Sequence, residues 1–263
     1  MSGGANLFTI ASSGDFAAVL ARGLTARLPD DALALSGTII YLPTQRATRG
    51  FGDAFARVLG GAVLLPQFRA LGDAAQDDLL FDAASEDLEL PPAISPIRRQ
   101  LLLAHLVRRW SDMPFAQAFA LAGSLAAVMD DAERQGVCLD RLEALAPPEL
   151  AAHWQSVTRF LSLLHGEWPA ILADEKAQNP VTRRNAILRG LTARLTAVPP
   201  PGLVIAAGST GSIPATADLL AAIARLPHGA VVLPGLDRDL DDDAWAKLDP
   251  AHPQYGLQQW LKR

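Results

Sequence analysis

With 263 residues, half of them hydrophobic, the chain can bury one large core or two smaller ones. Its formal charge of −5 lacks the overall basic excess usual in a dedicated nucleic-acid binder, and its lysines are confined to Lys176, Lys247 and Lys262. A single cysteine, Cys138, excludes an intrachain disulfide and any zinc or iron–sulfur site built from cysteine alone.

The opening residues, MSGGANLFTIASSGDF, have neither a basic leader nor a long apolar core, and no run in the chain approaches the length of a membrane span. A soluble, cytoplasmic protein without membrane association is expected. Leu7–Ala11 reads as a first strand. Ser12-Ser13-Gly14-Asp15 then offers turn and N-cap chemistry before a helical pattern over Phe16–Leu28. A phosphate-cradling loop belongs after such a strand, and it needs a lysine and a magnesium-binding hydroxyl next to its last glycine. Ser12, Ser13, Gly14 and Asp15 supply one glycine and no lysine, and Asp15 repels a phosphate. This loop is a degenerate one, and no nucleotide cofactor is expected on it.

Thr38–Leu42 predicts a second strand, followed by Thr44-Gln45-Arg46-Ala47-Thr48-Arg49 at the head of a helix carrying Phe51, Phe55 and Val58. Hydroxyl, amide and guanidinium donors at a strand's carboxyl end suit the phosphates and base edges of a single strand. A third strand is predicted over Ala62–Leu65, ending at Pro66-Gln67-Phe68-Arg69, where Phe68 would be a stacking ring beside the Arg69 cation. The candidate DNA-binding residues are therefore Thr44, Gln45, Arg46, Phe68 and Arg69. The order β-α-β-α-β opens a doubly wound parallel sheet.

Between Gly72 and Ile97 lie seven acids and no basic residue, which reads as a solvated surface loop. From Ser95-Pro96, an N-cap with proline at the first helical position, the texture turns helical: Ile97–Trp110, Phe115–Gln135, Pro148–Asp174 and Val181–Ala197. Strand patterns return only after Val198-Pro199-Pro200-Pro201-Gly202. Leu203–Ala206 is apolar throughout, as a strand covered on both faces must be, and Ala230–Leu233 follows. Between them, Gly208-Ser209-Thr210-Gly211-Ser212 leads into an amphipathic helix. The first of these two strands ends Ala206-Ala207-Gly208, without the acid that a nucleotide-hydrolysing site uses to hold magnesium.

No other chemistry assembles from the remaining residues. His105, His153, His165, His228 and His252 do not share a metal spacing. The aspartates of Asp237–Asp243 lack the glycine and glutamate of a calcium loop. The Gly208–Ser212 loop does not match a nucleophilic-serine elbow. Gly256–Arg263 reads as a helix without a terminating cap, so the chain looks cut from something longer.

The expected organisation is an α/β domain over 1–94, a helical insertion over 95–197 and a return to the α/β domain over 198–263. LPTQRATR, LPPAISPIRRQLLLAHLVRRW, AAHWQSVTRFLSLLHGEWPAIL, RRNAILRGL, and above all AAGSTGSIPATADLLAAIARLPHGAVVLPGLDRDLDDDAW with HPQYGLQQ, together resemble the AddB subunit of alphaproteobacterial AddAB helicase–nucleases. The resemblance covers nearly the whole chain. It implies a superfamily-1 helicase-like, P-loop-type parallel sheet with an all-helical insertion, serving the processing of double-strand DNA ends for recombinational repair. It also implies an AddA-like helicase–nuclease subunit and single-stranded DNA as partners. The iron–sulfur cluster and nuclease metal of such subunits belong to a carboxyl-terminal part to which nothing here corresponds. Gln45 matches an element that faces single-stranded DNA in such subunits, and Arg69 falls near a second. Many relatives carry a glycine–lysine–threonine phosphate loop, and others end the later strand in Asp-Gly. Ser13-Gly14-Asp15 and Ala207-Gly208 depart from both, which implies a helicase-like module that is not itself catalytic. The residues leave two further readings open: a residual nucleotide-binding ATPase module, or a purely structural docking platform.

Overall fold

A computed structural model describes residues 5–28, 32–60, 64–72, 90–137 and 166–262. The chain folds as two compact units, Met1–Asp87 with Ile187–Arg263, and Leu88–Ala186. The division falls within one helix, Pro180–Ala197, ahead of the prolines at 199–201.

The first unit is α/β. In chain order it contains β1 (Leu7–Ile10), α1 (Phe16–Thr25), α2 (Ala32–Ser36), β2 (Ile39–Leu42), α3 (Gln45–Leu59) and β3 (Gln67–Ala70). Its later strands are β4 (Val204–Ala207) and β5 (Gly229–Pro234). The strands form one parallel sheet in the order β1-β5-β4-β2-β3, compatible with a Rossmann- or P-loop-like fold. The runs before Gly72 and after Gly202 thus share a sheet, with Ile40 opposite Ile205 and Leu7 opposite Val231. All four residues of β4 are buried, as the sheet's centre demands. Ile40, Leu42, Ile205, Ala207 and Val232 form one face, covered by Leu20 and Leu24 of α1 and by Phe51 and Phe55 of α3.

The third strand corrects the sequence reading. Leu64-Leu65-Pro66 has no regular structure, Ala62 and Val63 lie outside the described residues, and the strand is Gln67–Ala70. Pro66 lacks the amide a ladder needs, so pairing starts one residue later, with Gln67 opposite Ile39. The alternation Gln67-Phe68-Arg69-Ala70, half buried, was the edge-strand signal, and Leu64 and Leu65 of the apolar run before it join no strand.

The second unit is built on α4 (Pro96–Trp110), α5 (Phe115–Gln135), α6 over 166–174, and the first turns of α7 (Pro180–Ala197). Among the described residues its only β pairing is an isolated bridge between Ala93 and Gln178. Ser95 caps α4 by accepting from the Arg98 amide, as its Ser-Pro start requires. Leu103, Ala104 and Val107 of α4 pack with Ala118, Ala122 and Met129 of α5 and with Trp168. The acidic run at 73–89, Cys138, His153, His165 and the first part of the helix expected over Pro148–Asp174 lie outside the described residues. Among the described residues, no single helix is long and apolar enough to cross a membrane.

Polar interactions fix how these helices meet. The Glu133 carboxylate accepts from Asn179 Nδ2 and from Thr182 Oγ1 at 2.9 Å, and Trp168 Nε1 donates to Asn179 Oδ1 at 3.0 Å. Arg99, with 5% of its side chain exposed, reaches Asp130 Oδ1 through Nη1 at 2.6 Å, while its buried Nε and Nη2 have no hydrogen-bond partner among the described residues. Replacing Asp130 by alanine should therefore cost about 3 kcal/mol, since it strands a buried guanidinium; adding Arg99→Met should recover most of the loss. Denaturant unfolding of the two variants checks both.

A second pair responds to pH. Arg98 grips Glu175 through two bonds, at 2.6 and 3.0 Å, and these hold the Glu175 carboxyl below its ordinary value while desolvation opposes them. The same bonds raise Arg98. For a depressed carboxyl, stabilisation is complete above the ordinary carboxylate range and is lost as pH falls through the lowered value. The melting-temperature gap between the unsubstituted chain and Glu175→Gln should be small at neutral pH and close on acidification.

Candidate functional site

The chain leaves β1, passes over two strand positions to β2, moves outward to β3, and then turns back to β4 and β5. β2 and β4 are therefore neighbours whose following connections run in opposite directions. Right-handed crossovers put α3 on one face and α8 (Pro214–Arg225) on the other. The carboxyl ends of two such strands form the topological switch point, where the crevice that open α/β sheets use for ligands is expected.

Three strand exits converge there. Gly208, just after β4, has φ of +75°, and a Cβ on it would lie 3.7 Å from the Phe16 ring and 3.8 Å from Pro43 Cδ. Phe16 begins α1 after the β1 exit, and Pro43 follows β2. Gly208 also donates its amide to Val232 O at 3.0 Å. A Cβ there would make only ordinary contacts, so it is the positive φ that calls for glycine.

The degenerate phosphate loop is closed by its own carboxylate. Asp15 caps α1, its Oδ1 accepting from the Ala18 amide at 3.1 Å, and its Oδ2 lies 3.8 Å from Arg57. An anion at this helix start would meet a fixed negative charge in the place where free amides should be. Ser12, Ser13 and Gly14 are exposed, and Ser12 Cβ lies 3.1 Å from the position a Cβ on Gly235 would take.

At the β2 exit, Thr44 caps α3 by accepting from the Ala47 amide at 3.2 Å. Thr48 Oγ1 donates to the Gln45 backbone carbonyl at 2.8 Å and lies 3.2 Å from Gln45 Oε1, which keeps the carboxamide close to the first turn of α3. Gln45 is half-buried, and Arg46 and Arg49 are exposed. Amide, hydroxyl and guanidinium donors thus stand together at the crevice.

Phe68 and Arg69 stand elsewhere than the sequence suggested. The half-buried Phe68 ring packs edge-on against Phe55 at 5.5 Å and Phe51 at 6.4 Å, at the margin of the core beneath α3. Arg69 lies within β3, opposite Tyr41, and its Nη2 donates to Gln67 Oε1 at 3.1 Å. The shift of the third strand carries both residues off the loop.

The sequence did not reveal that two of its distinctive segments meet. α9 (Asp242–Ala246) and α10 (Tyr255–Leu261) follow β5, and α10 brings HPQYGLQQ onto the loop after β4. Gly211 has φ of +64°, and a Cβ on it would come within 2.7 Å of Trp260 Cγ. Trp260 Nε1 donates to Ala217 O at 3.0 Å. A Cβ on Gly256 would lie 3.6 Å from Thr210 Oγ1. Gln254 bridges the β5 exit, donating to Gly235 O at 2.9 Å and accepting from the Asp237 amide at 3.2 Å. The glycines of the two segments were the available signal.

The remaining candidates have local roles. Asp241 caps α9 through the Ala244 amide, and Asp237 accepts from the Asp239 amide. His252 Nδ1 accepts from the Gln254 amide. No group of three or more potential metal ligands occurs among the described residues.

No family model matches the chain, and no curated protein matches it.

Gly211→Ala should destabilise the fold by about 2 kcal/mol, combining an unfavourable φ with a clash against the indole. Trp260 should become more accessible to acrylamide, and wild-type quenching at full stability would contradict this packing.

Proposed function

We propose that this chain is the amino-terminal, non-catalytic, superfamily-1 helicase-like module of an AddB-type subunit, serving recombinational repair of double-strand DNA ends in the cytoplasm. It holds single-stranded DNA where β2 and β4 part and docks on an AddA-like motor subunit. It carries no cofactor of its own; the iron–sulfur cluster and nuclease metal of such subunits belong to their carboxyl-terminal part.

One observation carries the reading: Thr44, Gln45 and Arg46 stand at the sheet's switch point, beside a loop braced by α10, while Asp15 closes the neighbouring phosphate loop. A fixed donor cluster without a nucleotide cradle suits strand contact and not hydrolysis. Arg46 suits a phosphate; the Gln45 amide suits a base edge. The nucleotide-binding alternative would need the lysine and strand-end acid that Ser12–Asp15 and Ala206–Gly208 lack.

Two titrations of the chain test this. ATP with magnesium should give neither saturable binding nor turnover above a protein-free blank. A thymidine oligonucleotide should bind weakly, with affinity falling as salt rises. Arg46→Ala should weaken that binding by about 1 kcal/mol, and Gln45→Ala should alter preference among oligonucleotide sequences more than affinity. ATP turnover abolished by Asp15→Ala would overturn the assignment, as would a chain that binds no oligonucleotide.

A further inference from the structure

We propose that the outer face of α3 is a track for the phosphodiester backbone of single-stranded DNA. The inference rests on the strand path proposed above and extends it beyond the switch point.

Phe51, Ala54 and Phe55 turn the inner side of α3 into the core. The opposite side exposes Arg46, Arg49, Gly50, Asp53 and Arg57. At a helical period of 3.6 these five positions fall within a single arc, stacked along the axis over about 16 Å. The helix face itself carries three guanidinium groups and the Asp53 carboxylate, with Asp15 of the neighbouring loop as a second carboxylate, although the chain as a whole carries −5. The concentration of positive charge is local, and it starts beside Gln45. A polyanion leaving the crevice along α3 would meet one cation after another.

Gly50 adds a shape to the charge. A Cβ on it would touch nothing within 4 Å, so no packing contact calls for glycine in the middle of this helix. An alanine there would stabilise the helix. What glycine leaves is a notch next to Arg46 and Asp53, where a backbone can come close to the helix surface.

The third element is Asp15. Its pair with Arg57, at 3.8 Å, joins side chains that are 55% and 71% exposed. A pair so open to solvent is weak and readily exchanged for a phosphate. Asp15 thus acts as a resident counter-ion at the far end of the track, competing with DNA for Arg57.

The test uses the whole chain, a labelled thymidine oligonucleotide and fluorescence anisotropy over a range of salt. Arg49→Ala and Arg57→Ala should each weaken binding about fivefold and reduce the slope of log affinity against log salt by about 0.7, the release expected per phosphate on a single strand. Asp15→Asn, which preserves the cap, should tighten binding. Gly50→Ala should raise the melting temperature yet weaken binding, a split that a purely structural role would not produce. If Arg46→Ala weakens binding while the Arg49 and Arg57 variants bind like the unsubstituted chain, the track is refuted and the switch-point reading stands. If the unsubstituted chain binds no oligonucleotide, both fail. Tighter binding of a duplex of equal length, with the same losses on substitution, would overturn the single-strand assignment.

Discussion

The pairing of β4 with β2 is the interaction on which the α/β unit depends. β1 and β2 are consecutive in the chain, yet two strands drawn from beyond residue 200 separate them in the sheet. Without Val204–Ala207 beside Ile39–Leu42, the β1–β5 pair is cut off from the β2–β3 pair and the apolar sides of α1 and α3 have no common surface to cover. The Ile39 amide bonds to Leu203 O at 2.9 Å, and the Val204 amide to His228 O at 2.8 Å. Chain continuity, hydrophobic burial and ladder bonding all pass through this seam. The same seam makes the crevice, because connections diverge only where a returning strand lies next to an outgoing one.

Electrostatics then divides the carboxyl edge into two districts. At the start of α1, backbone amides that could have faced a phosphate face Asp15. At the start of α3, the cap is a neutral threonine, and the following turn carries arginines. The two helix starts have similar backbone dipoles, and side-chain charge gives them opposite preferences. A single carboxylate separates an anion-repelling helix start from an anion-attracting one.

Much of this was legible in the residues. Uniformly apolar runs such as Leu203–Ala206 announced buried parallel strands, since both faces of a central strand are covered. Ser95-Pro96 marked the start of α4 because a cap and a fixed φ are local properties. The missing lysine after Gly14 could be read by inspection. Phe68 could not be placed this way. Whether an aromatic side chain points into a core or out of a loop depends on strand register, and the choice between Ala62–Leu65 and Gln67–Ala70 is made by pairing with Ile39–Leu42, not by local composition. The packing of Trp260 on Gly211 was hidden for the same reason: it joins segments that only the folded sheet brings together.

The place of β1 in the sheet also governs the order of events during synthesis. Thr9 finds its partner Leu233 only across a separation of 224 residues. At ordinary elongation rates, on the order of ten seconds or more pass between the emergence of one and that of the other. In that interval Leu7, Phe8 and Ile10 have no sheet to join. The helical unit, whose residues lie within Leu88–Ala186, already has all its chain by then. The nascent chain therefore holds all the residues of the helical unit while β1 is still unpaired, and the earliest-made of the five strands is among the last to find its place.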